Sequence, residues 1–172
     1  MGKLKQLKKE IIEKFGLEKW AEEEMISKLI KLSMHVCKLL KIEMVPILFE
    51  DIGIEDSRLY LNDPYIAISE KYIDDYIECA KCVCHEFRHL YQIAYVKTNC
   101  DSKALIMKKE LLNIKSFDFK EDGSVASYMM QEIEIDAFAF TKWYMDKFLN
   151  IDVIHKIELY EEIIKEYIEK NY

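Results

Sequence analysis

The chain has 172 residues, 51% of them hydrophobic and 33% charged, and a formal charge of −7. That length favours one domain with a real core, and the composition excludes a disordered tail or a membrane protein. The acidic balance disfavours duplex nucleic acid and anionic membrane surfaces as direct partners. With only 4 Gly and 2 Pro, turn chemistry is too scarce for a many-stranded β fold, so the expected class is α+β and predominantly helical.

The basic start MGKLKQLKKEIIEKFG is not followed by an apolar core of signal-peptide length, and Gln6 stands where N-myristoylation needs Ser or Thr. Nor does any apolar run reach the length of a membrane span. The five cysteines, Cys37, Cys79, Cys82, Cys84 and Cys100, are odd in number and bunched. Reduced thiols in a cytoplasmic protein are the expectation.

In chain order, residues 3–14 predict a helix that Gly16 ends. Over residues 17–40, Met25, Leu29, Leu32, Val36 and Leu39 recur at steps of three and four, the apolar face of an amphipathic helix. The short run Met44-Val45-Pro46-Ile47-Leu48-Phe49 predicts an edge strand or strand start, because Pro46 has no N–H for a ladder. Leu59-Tyr60-Leu61 and Tyr65-Ile66-Ala67-Ile68 flank Asn62-Asp63-Pro64 and predict a hairpin.

Asp74 or Asp75 caps the next predicted helix, which runs to about residue 98. A shorter helix is expected over residues 103–113 and a loop over 116–123. A long helix then runs from a Ser124 cap to about residue 149, ending near Asn150, and a last helix spans about 153–170. The expected organisation is one domain over residues 1–172, with N-terminal helices to residue 42, a core over 43–149 and a C-terminal helix after it.

In the middle of the helix after Asp75 stands His85-Glu86-Phe87-Arg88-His89, an H-E-x-x-H motif. Residues four apart share a helix face, so both imidazoles can reach one metal ion, and Glu86 lies one step round, where it can accept a proton from a metal-bound water. Catalytic zinc takes three protein ligands and keeps one open position, so a third ligand must come from elsewhere. The next long helix offers Glu132, with Asp136 four residues later on the same face. That arrangement suits Glu132 as the ligand and Asp136 as the acceptor that holds a ligand histidine in its tautomer. Glu134 points to roughly the opposite face and ranks below Glu132. The expected set is therefore Zn2+ on His85, His89 and Glu132, with Glu86 as general base.

His85-Glu86-x-x-His89 followed by Glu132-x-x-x-Asp136 resembles the gluzincin branch of zinc metallopeptidases. The series Tyr65-Ile66-Ala67-Ile68-Ser69, a helix, H-E-x-x-H and the later acidic helix is similar to the compact ImmA/IrrE-like metallopeptidases. Ile135 and Thr141-Lys142-Trp143 depart from that family's usual residues. The resemblance implies a zincin-like fold and an apolar edge strand before the active helix that pairs with extended polypeptide substrate. It also implies a regulatory protein, such as a repressor, among the partners. The expected activity is zinc-dependent hydrolysis of peptide bonds; the alternative is a zinc-binding regulatory or protein-interaction module without turnover.

For the donor that steadies a developing oxyanion, Tyr128 stands one helical turn before Glu132, with Tyr91, Arg88 and His155 as alternatives. Cys79, Cys82 and Cys84 beside His85 read as small apolar residues rather than as a second metal site, which would need paired cysteines on a turn. Phe138, Phe140, Trp143 and Tyr144 read as core.

Overall fold

The computed structural model describes residues 23–112, 129–155 and 157–172. The helix expected over residues 3–14, the loop over 116–123, the Ser124 cap and Tyr128 lie outside them. The described residues are mostly helical, with a small three-stranded mixed sheet. They form α1 (Glu23–Leu40), β1 (Ile47–Glu50), β2 (Ser57–Tyr60), β3 (Tyr65–Ser69), α2 (Tyr76–Thr98), α3 (Ser102–Leu112), α4 (Glu132–Tyr144) and α5 (Glu158–Asn171). Two compact units divide the chain, Met1–Glu86 and Phe87–Tyr172, and the division falls inside α2.

In the first unit, α1 buries Leu29, Leu32 and Val36 as its periodicity predicts, while Leu40 rather than the exposed Leu39 ends the stripe. Strand β1 starts directly after Pro46, whose carbonyl accepts the Ile66 N–H at 2.9 Å. The sheet order is β1-β3-β2, with β1 parallel and β2 antiparallel to β3. The β2–β3 hairpin is as expected, and the stacked rings of Tyr60 and Tyr65 close it, 4.5 Å between centroids.

One expectation is corrected. Strand Tyr65–Ser69 is the central strand, not an edge; the edges belong to β1 and β2. The reason lies in its composition. Ile66, Ala67 and Ile68 are consecutive and all fully buried, and an unbroken apolar run is what a strand covered on both faces needs. Helix α2 follows after Asp75, whose Oδ1 accepts the N–H groups of Ile77 and Glu78 at 3.0 and 3.1 Å. This is the N-cap that the sequence predicts.

In the second unit, Asp101 caps α3 by accepting the Ala104 N–H at 2.8 Å. Helix α4 does not continue unbroken from upstream, because Gln131 is extended (φ −67°, ψ 139°) and the helix begins at Glu132. Glu110 of α3 supplies the missing cap: its two carboxylate oxygens accept the N–H groups of Glu132 and Ile133 at 3.1 and 2.9 Å. An anion at that end also complements the helix dipole. After a π-helical turn over Met145–Leu149, Asn150 ends the run in the left-handed region, φ 55°, which Asn tolerates better than most residues.

The last helix starts at Glu158, later than its periodicity suggests, because the residues before it are held in another way. The Lys142 ammonium donates to Asp152 Oδ1 at 2.9 Å and to the Val153 carbonyl, and pairs with Glu161 at 3.0 Å. Glu161 in turn accepts the His155 N–H at 3.0 Å. Helices α4 and α5 share a core of Ala139, Tyr160 and Ile164, with Ile135, Phe138 and Tyr167 packed on it. Among the described residues no helix is long and apolar enough to cross a membrane.

Candidate metal centre

Helix α2 carries His85 and His89 one turn apart. Among the described residues, one ligand atom each from His85, His89 and Glu134 lies within 4.8 Å of the others. His89 Nε2 lies 3.4 Å from Glu134 Oε1. On a tetrahedral ion with bonds of about 2.0–2.2 Å, donor atoms stand about 3.4 Å apart. The His89–Glu134 pair already has that spacing. Glu134 is 3% exposed, and two imidazoles with one buried carboxylate form a donor set suited to a divalent ion such as zinc.

Glu132, the expected third ligand, does not belong to this group. It sits in the first turn of α4, where burial first and the neighbouring Glu110 charge second raise its carboxyl pKa. The structure brings Glu134 to the histidines in its place. Glu132 shares a face with Asp136 at i, i+4, but Asp136 is taken up by other partners.

Those partners are specific. Asp136 is fully buried, and its carboxylate accepts Arg88 Nε at 2.7 Å and the Arg88 terminal nitrogen at 2.8 Å. It also accepts Gln92 Nε2 at 2.8 Å and the Tyr167 hydroxyl at 3.0 Å. Burial by itself would raise this carboxyl, yet the paired Arg88 guanidinium, helped by Gln92, holds it below the usual carboxylate range. Contrary to the expectation, Asp136 does not hold a histidine directly but reaches His89 through Gln92, whose Oε1 lies 2.9 Å from His89 Nδ1.

Glu86 belongs to the first unit, 5% exposed. The Ser57 hydroxyl of edge strand β2 donates to its Oε1 at 2.7 Å. One turn earlier, Cys82 donates its thiol to the Asp56 carbonyl at 3.7 Å. Burial pushes the Cys79 thiol up to about 12 and raises Cys82 and Cys84 as well. Protonated buried thiols are poor metal ligands, so these cysteines pack as the small apolar residues that the sequence predicts.

Of the expected oxyanion donors, Tyr128 lies outside the described residues. Arg88 is committed to Asp136, with its guanidinium 4.4 Å from the Tyr91 ring centroid. His155 stands edge-on to Phe138 and Tyr160, with ring centroids 5.1 and 5.4 Å away. Tyr160 itself is buried, and its hydroxyl has no hydrogen-bond partner among the described residues. Burial first and the Glu134 charge second hold its pKa up.

Sequence reasoning gave no role to Gln92 or Tyr167 and ranked Glu134 low. A signal for Gln92 was available, since it stands three residues after His89 and so shares its face. Compared with known proteins, the chain matches no family model, no curated protein and no solved structure.

Proposed function

We propose that this chain is a zinc-dependent metallopeptidase with a zincin-like site. The observation that carries the reading is the convergence of His85, His89 and Glu134, with Glu86 set between the two histidines in sequence. His85, His89 and Glu134 would hold the ion. When bound, a divalent ion supplies Lewis-acid polarisation of a carbonyl and acidifies water.

The chain's own residues do the rest. Ser57 fixes Glu86 through one oxygen, and Glu86 acts as the general base. It takes the proton of the water that attacks the scissile carbonyl carbon, then passes that proton to the amide nitrogen as the C–N bond breaks. Strand β2 is a sheet edge and carries Ser57. An extended polypeptide aligned along that edge would be brought to Glu86 by main-chain hydrogen bonds. The resemblance of the H-E-x-x-H motif to that of the gluzincins and the ImmA/IrrE-like peptidases supports the same reading, while Glu134 in place of Glu132 departs from the second motif. It also favours a regulatory protein as substrate, and five free cysteines, of which Cys100 is exposed, suit a cytoplasmic setting.

The test is cleavage of a fluorescence-quenched peptide library by zinc-loaded protein. Cleavage by the native chain, lost in Glu86→Gln with the metal retained, supports a peptidase. A native chain that holds zinc and cleaves no peptide or protein offered would overturn turnover and leave a zinc-binding interaction module.

A further inference from the structure

We propose that Gln92 is a positioning residue that locks His89 into the tautomer with its lone pair on Nε2, the nitrogen facing Glu134. The inference deepens the metal-centre reading by naming the group that readies one ligand for a cation.

Gln92 is fully buried. Its Nε2 donates to the Ile133 carbonyl and to Asp136 Oδ2, both at 2.8 Å. An amide nitrogen has two hydrogens, and each has its acceptor. Neither acceptor is placed to donate in return: one is a carbonyl and the other a carboxylate whose two oxygens already accept Arg88 Nε and the Arg88 terminal nitrogen. Turning the amide over would set its oxygen against both of them. The orientation is therefore fixed by its hydrogen-bond partners, and Oε1 is the atom 2.9 Å from His89 Nδ1.

Oε1 only accepts, so Nδ1 carries the hydrogen. The neutral ring then has its lone pair on Nε2, which stands 3.4 Å from Glu134 Oε1. Two lone pairs facing each other at that distance repel until a proton or a metal ion is set between them. The opposite tautomer would let Nε2–H donate to Glu134 but would set the Nδ1 lone pair against Oε1. Gln92 excludes that self-satisfied state. Its own position is held in turn by Asp136, which Arg88 and Tyr167 fix.

Two measurements on the full-length chain test this. Long-range 1H–15N imidazole correlations of the metal-free native protein, at a pH where the ring is neutral, read the His89 tautomer directly. The expected result is Nδ1-protonated, and an Nε2-protonated ring would overturn the inference. Zinc affinity, from competition with a chelating dye, compares the native chain with Gln92→Met. The expected loss is on the order of 10- to 100-fold, and a folded Gln92→Met within twofold of native would overturn it. If Gln92→Met does not fold, the native tautomer decides alone. If the native chain takes up no zinc, the metal-centre reading fails, while the tautomer measured in the metal-free protein still decides the role of Gln92.

Discussion

His89 Nε2 and Glu134 Oε1 lie 3.4 Å apart, while Glu132, two residues earlier on the same helix, stands outside the cluster. The two glutamates therefore separate in experiment. Glu134→Gln, His85→Ala and His89→Ala are each expected to abolish stoichiometric zinc uptake, whereas Glu132→Gln keeps it. Metal content after gel filtration checks this. Loss of zinc in Glu132→Gln with retention in Glu134→Gln would reverse the assignment.

Glu86 is expected to matter for rate and not for metal. A glutamine in its place still accepts the Ser57 hydroxyl through Oε1 but takes no proton. Hydrolysis by Glu86→Gln should fall by about 10²- to 10⁴-fold with zinc stoichiometry unchanged. Initial rates on a cleaved library peptide, measured beside metal content, give the answer.

How far the sequence reached follows from the range of each rule. Helix faces, caps and turns are local, so α2 with its Asp75 cap, the β2–β3 hairpin and the break before β1 at Pro46 were all legible. Two kinds of information were not local. The central place of β3 depends on pairing with β1 across some twenty intervening residues, although its unbroken apolar run was a usable sign. Which acidic residue of α4 meets the histidines depends on how α4 crosses α2, and face counting does not carry that. The cap from Glu110 and the tie from Lys142 to Val153 likewise join residues whose pairing only the fold reveals.

The Arg88–Asp136 pair is almost entirely buried, so removing one partner strands a charge. Asp136→Ala should cost about 3–5 kcal/mol in urea unfolding. The double change Arg88→Met with Asp136→Leu should recover a large part of that, because it strands no ion. Equal destabilisation by the single and the double variant would show that packing, not charge, sets the cost.

The Lys142–Glu161 pair gives stability a pH signature. Burial by itself would raise the Glu161 carboxyl, but the His155 amide and the Lys142 ammonium bring it below its ordinary value. A depressed carboxylate stabilises the fold above its unfolded pKa of about 4.3, and that contribution is lost as pH falls through the lower folded value. For Lys142, burial lowers and Asp152 with Glu161 raise, with a net upward shift. Its contribution is present below the unfolded value of about 10.4 and is lost as pH rises through the folded one. Glu161→Gln should therefore flatten the acid limb of melting temperature against pH. An acid limb as steep as the native one would count against this pair.

Whether His85, His89 and Glu134 together hold one divalent ion is read most directly from anomalous diffraction at the zinc edge, on crystals of the zinc-loaded chain. One strong peak per chain is expected, about 2.0–2.2 Å from a nitrogen of each histidine and from a carboxylate oxygen of Glu134. A peak bound by Glu132 in place of Glu134, or no peak between His85 and His89 in zinc-saturated protein, would contradict it.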